Sequence, residues 1–361
     1  MNKPHEYYIR RCLELAGMGN PHPNPYVGAV VVHGNGEIIA EGYHNMAGEE
    51  HAEAQALHKS KVNIQNAKLY INLEPCCYIG RVHPCTDAII SSGIKTVIVA
   101  MKDPNPRVNG KGIEILRCSG INVTVGVLQK EARLLNEQFV TFHAKHRPFI
   151  ALKLATTLDG KIATRAGDSK WITSLKMRAH TRLLRARHQA ILIGVNTVLK
   201  DDPHLGARSF GKRDQMRIIL DSKLRSPLKA KALRDKNVII ATTSRATLKK
   251  IKSLEKQGIF VWVCASDRRG FVHLPKFMER MRDHGIISCF VEGGGRVASS
   301  FLSEGLVDKI YWAIAPKILG DEKAVSAISG RGILTMRSAM RLKNARYTQI
   351  DDDILCEGYT R

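Results

Sequence analysis

No uninterrupted apolar segment of the sequence approaches the roughly 18 residues that a membrane-spanning helix needs. The first residues, MNKPHE, also lack the apolar stretch of a secretory signal peptide. Cysteine is scarce: the 361 residues include 8 irregularly spaced cysteines, too few for a disulfide framework. We therefore expect a cytoplasmic protein whose cysteines stay reduced, so that any cysteine cluster serves metal binding or catalysis.

Acidic residues are also in deficit, with 33 Asp and Glu against 56 Lys and Arg and a formal net charge of +23. The excess is uneven, because 16 basic and 13 acidic residues occur up to Arg147, and 40 and 20 follow it. A polyanionic partner, solubility or the composition of the source could each account for such an excess. Its location in the second half is therefore more informative than its size.

The rest of the composition is typical of a folded protein, with 44% hydrophobic and 25% charged residues. A length of 361 residues favours two domains. Strand-like and helix-like segments alternate throughout, without internal repeats, which predicts the α/β class. The helix-breaking sequence His146-Arg147-Pro148 lies between two such series. We place the boundary there and expect domains at 1–146 and 147–361.

Short segments rich in Val, Ile or Tyr predict the strands, and the segments between them predict the helices. In the first domain we predict strands at 26–32, 38–40, 68–73, 96–101 and 121–127, and helices at 4–16, 51–60, 85–92, 110–119 and 129–145. In the second domain we predict strands at 149–155, 190–194, 217–221, 237–241, 259–263, 286–291, 309–315 and 354–359, and helices at 174–188, 246–257 and 276–284. No helix is evident between the last two strands, so we expect a mixed parallel and antiparallel sheet.

Three short segments of the first domain contain the strongest chemistry: His51-Ala52-Glu53, Pro75-Cys76 and Pro84-Cys85. One imidazole and two thiolates suit Zn²⁺ and leave its fourth tetrahedral position for water, as in catalytic zinc sites. On a regular helix the side chains of His51 and Glu53 would point about 200° apart, so they cannot both be ligands. We therefore predict His51, Cys76 and Cys85 as metal ligands, and Glu53 as the catalytic residue that carries a proton from the bound water to a leaving amine.

Two alternatives to a catalytic zinc site remain open. Structural zinc sites usually have four protein ligands, and Cys77 or His83 could supply the fourth. Buried cysteine is also common as a small hydrophobic residue without any metal. A catalytic site is favoured because Glu53 and both Pro-Cys segments occur in the order typical of zinc deaminases of nucleobases.

These segments belong to a wider resemblance. From about Tyr7 to Cys356 the sequence resembles the bifunctional deaminase/reductase family of riboflavin biosynthesis. Its further motifs in the first half are Pro23-Asn24-Pro25-Tyr26-Val27-Gly28, Gly42-Tyr43-His44, Gly80-Arg81 and Asp103-Pro104-Asn105-Pro106. The resemblance implies a cytidine-deaminase-like layered α/β domain. It also implies deamination of a diamino-pyrimidinone that carries a ribosylamino 5′-phosphate, with Asn24 and His44 in contact with this substrate.

The second half contains no G-x-G-x-x-G dinucleotide-binding segment after a strand. It does contain Gly293-Gly294-Gly295 between a predicted strand and a helix-like segment. Such glycines allow a backbone to approach a phosphate closely, although a tight turn without any ligand would look the same. The family resemblance continues here through Leu152-Lys153-Leu154-Ala155, Ser169-Lys170-Trp171-Ile172-Thr173, the segment from Thr197 to Pro203, and Ala315-Pro316-Lys317-Ile318-Leu319-Gly320.

For the second half the resemblance implies a dihydrofolate-reductase-like α/β domain that uses NADPH to reduce a ribosyl group to ribityl. The NADPH-binding residues that it implies are Ala155, Trp171, Thr197, Asp201, Ser222, Gly294, Gly295, Arg296, Val297, Ala298, Ser299 and Ser300. The substrate-binding residues that it implies are Ser169, Arg185, Leu205, Arg208 and Glu292. The guanidinium forks of Arg185 and Arg208 suit a sugar phosphate, while Ser222, Lys223 and Arg225 suit the 2′-phosphate of NADPH.

The sequence departs from the family near both sites. Cys77-Tyr78 replaces a Ser-His pair, Val82-His83 replaces Thr-Pro, Gly206 stands where Thr is frequent, and Gly295-Arg296 stands where Pro-Thr is frequent. The changes in the first half leave the metal ligands intact and affect substrate contacts. Those in the second half border the expected phosphate pocket.

Two further functions are compatible with a zinc deaminase motif beside a basic half. A zinc deaminase could edit RNA and use the basic half as an electrostatic clamp, or a paralogue could have lost one activity and serve as a scaffold. The nearly neutral charge of the deaminase half argues against RNA editing, and the complete zinc set argues against loss of the first activity. We expect a phosphorylated pyrimidine as substrate, Zn²⁺ and NADPH as cofactors, and no specific nucleic acid or membrane partner. A homo-oligomer stays open.

Overall fold

The computed structural model describes residues 3–60, 64, 66–80, 83–205, 215–330 and 332–360. The chain divides into two units, Met1–His146 and Arg147–Arg361. At the junction His146 adopts a left-handed backbone conformation with φ of 50°, and the preceding helix ends there. The predictions for Arg81, Val82, Gly206 and Arg208 lie outside the described residues. Within the described chain, none of the helices combines the length and the apolar character that crossing a membrane would take.

Within its described residues the first unit forms a five-stranded sheet with helices packed on it. Its strands are β1 (Gly28–Val32), β2 (Ile38–Tyr43), β3 (Lys68–Ile71), β4 (Thr96–Val99) and β5 (Asn122–Val125). Its helices are α1 (His5–Ala16), α2 (Ala52–Lys59), α3 (Cys85–Ser91), α4 (Lys111–Cys118), α5 (Gln129–Leu135) and α6 (Glu137–Lys145). The strand order is β2-β1-β3-β4-β5, in which β1 is antiparallel to β2 and β3, whereas β3, β4 and β5 are parallel.

The sheet and α2 pack unusually closely at Gly42 in β2. A Cβ atom added to Gly42 would lie 2.3 Å from the carbonyl oxygen of Ala52, the first residue of α2. Only glycine therefore allows the start of this helix to lie directly on the sheet, which fixes the position of the residues at the helix N-terminus.

The single helix predicted at 129–145 is wrong, because the structure has two helices that meet at Asn136. The buried Asn136 side chain accepts the Tyr26 N–H at 2.8 Å and donates to the Tyr26 carbonyl oxygen at 3.0 Å. These tertiary hydrogen bonds anchor the junction of the helices to the segment that enters β1. Helix periodicity alone carries no information about such a long-range contact.

Within its described residues the second unit forms a nine-stranded sheet and a separate pair of short strands. Its strands are β6 (Phe149–Thr157), β7 (Lys161–Ala163), β8 (Ala190–Gly194), β9 (Met216–Leu220), β10 (Val238–Thr242), β11 (Phe260–Val263), β12 (Ser288–Val291), β13 (Lys309–Ala315), β14 (Val325–Ser326), β15 (Lys343–Ile350) and β16 (Asp353–Tyr359). Its helices are α7 (Leu175–Ala186), α8 (Val195–Asp201), α9 (Leu248–Lys256), α10 (Leu274–Asp283) and α11 (Gly295–Ser303).

The large sheet has the order β11-β10-β9-β8-β12-β6-β13-β16-β15. The strands from β11 to β13 in this order are parallel, and β16 and β15 are antiparallel to their neighbours. The α/β class and the mixed sheet are therefore confirmed. Strands β6, β8 and β12 are nearly continuous runs of buried residues, as expected for parallel strands with both faces covered.

Four elements of the second unit were missed: β7, α8, β14 and β15. Helix α8 begins directly after β8, and its β-branched residues Val195, Thr197 and Val198 favour extended structure in isolation. Strand β15 is polar and exposed along almost its whole length, so it lacks the alternation of buried and exposed residues that identifies a strand. Its pairing with β16 supplies the stabilisation that its sequence does not indicate.

Candidate active sites

The predicted zinc ligands come from three segments that the first unit brings together. His51 immediately precedes α2, and its carbonyl oxygen accepts the Gln55 N–H at 3.0 Å. Cys76 follows the carboxyl end of β3, and Cys85 is the first residue of α3. The Cys85 N–H at this helix N-terminus donates to the sulfur of Cys76 over 3.4 Å. Two helix N-termini therefore converge here, and both favour negative charge.

The three side chains have the geometry of a tetrahedral metal site. Their ligand atoms lie within 4.8 Å of one another, and His51 Nδ1 is 3.2 Å from Cys85 Sγ and 3.5 Å from Cys76 Sγ. A zinc ion bonded to nitrogen at about 2.0 Å and to sulfur at about 2.3 Å in tetrahedral geometry would separate these atoms by about 3.5 Å. Hydrogen bonds from Cys85 and His51 lower the pKa of Cys76, whereas the pKa of Cys85 is raised by its bond to Cys76 and by burial. A bound cation would allow both sulfurs to be thiolates, so the residues fit zinc.

Glu53 lies in the first turn of α2 with its side chain buried. Burial raises the pKa of its carboxyl group to about 7, and nearby His51 opposes this effect. A carboxyl group with a pKa near neutrality can accept and return a proton at physiological pH. His51 has extended backbone and lies outside the helix, so the predicted start at His51 is wrong by one residue. The predicted angle of about 200° between the side chains of His51 and Glu53 on one regular helix therefore does not apply, because only Glu53 lies in the helix.

Of the predicted substrate contacts of the first site, His44 packs against the predicted ligand His51, and Asn24 is bonded to His44. The ring of His44 is buried, and its centroid lies 5.0 Å from that of His51. His44 Nδ1 is 3.3 Å from the Glu50 carbonyl oxygen, which can only accept, so this nitrogen carries the proton. Nε2 then accepts from Asn24 Nδ2 at 2.9 Å. Burial lowers the pKa of His44, in agreement with this neutral form.

Glu74, which was not predicted as a site residue, supports the segment that precedes Cys76. Its buried carboxylate accepts the backbone N–H groups of Asp103, Gly110 and Ile113 at 3.0, 2.9 and 3.2 Å. These bonds tie the segment before Cys76 to the segment that leads from β4 into α4. An acidic residue directly after an apolar strand was the available signal.

In the second unit, several of the residues predicted to bind NADPH and substrate lie at one edge of the large sheet. Strands β6, β12, β8 and β9 are parallel neighbours, so their carboxyl ends meet at this edge. Ala155 lies near the end of β6, Thr197 and Asp201 lie on α8 directly after β8, Ser222 follows β9, and Glu292 follows β12. Ligands of open parallel sheets bind outside the carboxyl ends of the strands.

The three glycines after β12 differ in whether the surrounding packing leaves room for a side chain. A Cβ atom at Gly293 would lie 2.4 Å from the Val297 Cβ, and one at Gly295 would lie 2.7 Å from the Ser326 carbonyl oxygen. Packing therefore requires both of these glycines. A Cβ atom at Gly294 would meet no atom of a described residue within 4 Å, and its φ of −62° suits any residue. The open space at Gly294, beside the first N–H groups of α11, fits a phosphate group of NADPH.

Arg185 and Glu292, both predicted to bind substrate, form an ion pair with each other. Arg185 Nε and Nη2 donate to Glu292 Oε1 and Oε2 at 2.8 and 2.7 Å, and the side chains are 15% and 14% exposed. The guanidinium fork that we assigned to a sugar phosphate is therefore held by a carboxylate. Burial alone would raise the pKa of Glu292, but the adjacent guanidinium outweighs burial and lowers it.

Lys153 belongs to the same cluster and was missed as a site residue. It lies within β6, and burial lowers the pKa of its ammonium group, while Glu292 opposes this shift and Arg185 adds to it. The signal was a single charged residue in the otherwise apolar segment FIALKLA. A lysine with a lowered pKa beside a carboxylate can donate a proton to a reacting group.

The remaining predicted residues of the second site differ in accessibility. Trp171 is 62% exposed, and the Arg178 guanidinium lies 4.3 Å from its ring centroid. The Ser222 hydroxyl accepts the Val272 N–H at 3.1 Å and can still donate its own hydrogen. Leu205 and Ala298 have buried side chains, so only their backbones could meet a ligand. Arg296 is exposed, and Ser169, Val297, Ser299 and Ser300 are half-buried.

Comparisons with known proteins identify the family of the chain. The family model for the RibD C-terminal domain matches residues 148–356, and that for the cytidine and deoxycytidylate deaminase zinc-binding region matches residues 2–101. The chain is 43% identical to the riboflavin biosynthesis protein RibD of Aquifex aeolicus over 351 residues, which cover 96% of each chain. The chain belongs to the RibD family. The RibD protein of Escherichia coli is 37% identical to it over 94% of this chain and 93% of its own.

Solved structures of RibD proteins share the fold over nearly the full length. Acinetobacter baumannii RibD matches with a TM-score of 0.89 at 32% identity, and 99% of each chain is covered. The Thermotoga maritima diaminohydroxyphosphoribosylaminopyrimidine deaminase/5-amino-6-(5-phosphoribosylamino)uracil reductase matches with a TM-score of 0.87 at 36% identity over 99% of each chain. As a RibD protein, the chain is an enzyme of riboflavin biosynthesis with a zinc-dependent deaminase part and an NADPH-using reductase part. The predicted family is confirmed.

Proposed function

We propose that the chain deaminates 2,5-diamino-6-ribosylamino-4(3H)-pyrimidinone 5′-phosphate and then reduces the ribosyl group of the product to ribityl. The first unit would carry out the deamination and the second unit the reduction. The observation that carries the proposal is the convergence of His51, Cys76 and Cys85 within 4.8 Å beside the buried Glu53. For the reduction, the proposal depends on the cluster of Lys153, Arg185 and Glu292 at the carboxyl ends of the strands of the large sheet.

In the deamination, His51, Cys76 and Cys85 would hold the zinc ion, which supplies a water molecule of lowered pKa. Glu53 would accept a proton from a water molecule and deliver it to the amino group, which would leave as ammonia while the water oxygen takes its place on the ring. The side-chain amide nitrogen of Asn24 is bonded to His44, which directs Asn24. Its amide oxygen makes no hydrogen bond with the described residues and can accept one from the substrate.

In the reduction, NADPH supplies a hydride when bound. Gly294 and the first N–H groups of α11 would hold its phosphates, and Ser222 with Lys223 and Arg225 would hold the 2′-phosphate. A proton must accompany the hydride, and Lys153 is the donor that the cluster with Glu292 and Arg185 provides. Because Arg185 is engaged by Glu292, its role in this site is to hold that carboxylate in place.

One incubation tests both reactions. Zinc-loaded protein receives the diamino-pyrimidinone phosphate with or without NADPH, and the products are followed by mass spectrometry. Without NADPH we expect exchange of one amino group for oxygen with release of ammonia; with NADPH we expect the further gain of two hydrogens. Absence of ammonia release, or failure to reduce the deaminated compound when it is supplied directly, contradicts the corresponding half of the proposal.

We also propose that the chain associates with further copies of itself. Leu334, Met336 and Tyr347 are 99%, 90% and 74% exposed, and such apolar side chains at or near β15 support self-association of the chain. A cytoplasmic location and the absence of a specific nucleic acid or membrane partner stay predictions.

A further inference from the structure

The loop that follows the zinc ligand Cys76 is joined to a second loop by a contact between an aromatic ring and a cation. The guanidinium carbon of Arg107 lies 4.0 Å from the ring centroid of Tyr78. The thiol of Cys77 approaches the Arg107 carbonyl oxygen at 3.9 Å. Tyr78 lies between the two cysteine ligands, and Arg107 lies between β4 and α4. The contact therefore fixes Arg107 beside the segment that carries a zinc ligand.

The guanidinium of Arg107 is held in place but has no polar partner in the described part of the chain. The Arg107 backbone N–H donates to Asn105 Oδ1 at 3.1 Å, which fixes the backbone at this residue. Lys111, a second cation nearby, donates instead to the Pro106 carbonyl oxygen at 3.3 Å. A guanidinium that stacks through its face keeps its five N–H donors in its own plane, where they are available to an anion.

The residues of the predicted zinc site are unequally exposed, and Arg107 contacts the loop that follows a half-buried ligand. Cys85 and Glu53 are buried, whereas Cys76 is partly exposed, and so are Cys77 and Tyr78, which follow it. The loop after Cys76 is therefore a place where a substrate whose amino-bearing ring reaches the three ligands could leave its other end. For the proposed substrate, that end is a sugar phosphate.

We propose that Arg107, oriented by Tyr78, binds the phosphate of the deaminase substrate; this inference rests on the proposed function. A phosphate offers several acceptor oxygens and pairs with an arginine through two parallel hydrogen bonds. The aromatic support reduces the loss of side-chain freedom when the pair forms. Tyr78 stands where the resembling family has the His of a Ser-His pair, so the support belongs to this chain.

The test is the steady-state kinetics of deamination by the zinc-loaded full chain. We expect Arg107→Ala to raise KM for the phosphorylated substrate by about 10- to 100-fold with kcat changed by less than about twofold, because one charge-assisted contact is lost. The variant should act on the dephosphorylated substrate as the parent does. Ribose 5-phosphate should inhibit the parent competitively and should inhibit the variant much less. Tyr78→Phe should behave as the parent, and Tyr78→Ala should raise KM for the phosphorylated substrate.

Lys102→Ala is the matched control, because Lys102 is an exposed cation on the same segment and stacks on no aromatic ring of a described residue. It should leave both values of KM unchanged. An unchanged KM in Arg107→Ala overturns the inference. So does an equal loss on phosphorylated and dephosphorylated substrates, which indicates a structural role, or an equal loss in Lys102→Ala, which indicates general charge. A parent enzyme that releases no ammonia refutes the proposed function itself.

Discussion

Glu53 combines two properties that a proton carrier needs, and both come from its surroundings. A carboxyl group in water has already lost its proton at a pH well below 7, so at neutral pH it is a weak base. Burial of Glu53 in the first turn of α2 raises its pKa to about 7. The same position brings the carboxyl group next to Cys85 and His51, as its predicted role as proton carrier requires.

Replacement of Glu53 by Gln should abolish deamination and leave zinc binding intact. Gln preserves the shape of the side chain but cannot accept a proton, and the loss of such a group typically costs about 10²- to 10⁴-fold in rate. Metal analysis should give the zinc content of the parent. Reduction of the already deaminated substrate, measured on the same preparation, is the internal control and should be unchanged. Deamination within a few fold of the parent would assign proton transfer to another group.

The residues of the first site could be predicted because their chemistry is rare in sequence. Two Pro-Cys segments after a His-x-Glu segment are typical of a zinc deaminase, and the structure brings His51, Cys76 and Cys85 together. The pairing of Asn24 with His44 could not be predicted, because it depends on a loop and a strand end that meet only in the fold. The ion pair between Arg185 and Glu292 could not be predicted either, because these residues also meet only in the fold.

The ion pair of Arg185 and Glu292 predicts a pH-dependent contribution to stability. The pKa of Glu292 is lower in the folded chain than its ordinary value of 4.5. Its contribution is therefore present above pH of about 4.5 and is lost as the pH falls through the lower folded value. Glu292→Gln should cost about 1–3 kcal/mol at pH 7, because it leaves a half-buried guanidinium without its charge partner.

The cost of Glu292→Gln should shrink as the pH falls from about 4.5 through the lower folded value, because the carboxyl group of the parent then also loses its charge. Urea unfolding followed by tryptophan fluorescence measures the free energy of unfolding of the second unit, because all three tryptophans, Trp171, Trp262 and Trp312, lie in that unit. Lys176→Gln is a suitable control, since its partner Asp351 forms an exposed ion pair that contributes little. A difference between parent and Glu292→Gln that is independent of pH would contradict the assignment.

At the scale of elements, both sites are built where strands end and helices begin. In the first unit the starts of α2 and α3 converge on the zinc ligands. In the second unit a Cβ atom at Gly194 would lie 2.9 Å from Val297, so the turn into α8 touches α11. The long apolar strands could be predicted from sequence, whereas α8 could not, because its seven residues follow a strand without a break and are rich in β-branched side chains.

The glycines after β12 allow packing and ligand binding to be tested separately. Gly293→Ala should destabilise the second unit by about 1–3 kcal/mol, because its new methyl group would overlap Val297. Gly294→Ala should leave stability unchanged, since the space around it is open, but should weaken NADPH binding by about tenfold or more because the methyl group occupies the approach of a phosphate. Tryptophan fluorescence measures both unfolding and NADPH titration. Unchanged NADPH affinity in Gly294→Ala would place the cofactor elsewhere.

For the whole molecule, the order of the strands in the large sheet could not be predicted from the sequence. β12 is inserted between β8 and β6, although β9, β10 and β11 lie between β8 and β12 in the chain. Alternation of helices and strands gives the class of the fold but does not specify which strands become neighbours. This insertion places the segment after β12, with Glu292 and Gly294, between the ends of β8 and β6, where the second site is predicted.

The positive charge of the second unit is also a property of the whole molecule. Several of its acidic residues are already paired, as Asp308 is with Arg147 and Asp321 with Arg165. Lys249, Lys252 and Lys256 on α9 are exposed and form no ion pair with a described residue. An exposed row of unpaired lysines attracts any polyanion, but attraction of this kind is weak and insensitive to sequence.

We therefore predict that single-stranded RNA binds weakly and that salt abolishes its binding, with log affinity falling by about 0.7 per phosphate contact for each unit of log salt. Joint replacement of Lys249, Lys252 and Lys256 by Gln should weaken RNA binding and spare NADPH binding. Arg296→Ala combined with Ser222→Ala should do the reverse, because these residues lie at the start of α11 and after β9. Fluorescence anisotropy at several salt concentrations and NADPH titration measure the two affinities. Sequence-selective RNA binding at physiological salt, without affinity for NADPH, would overturn the reductase assignment and favour an RNA-directed deaminase.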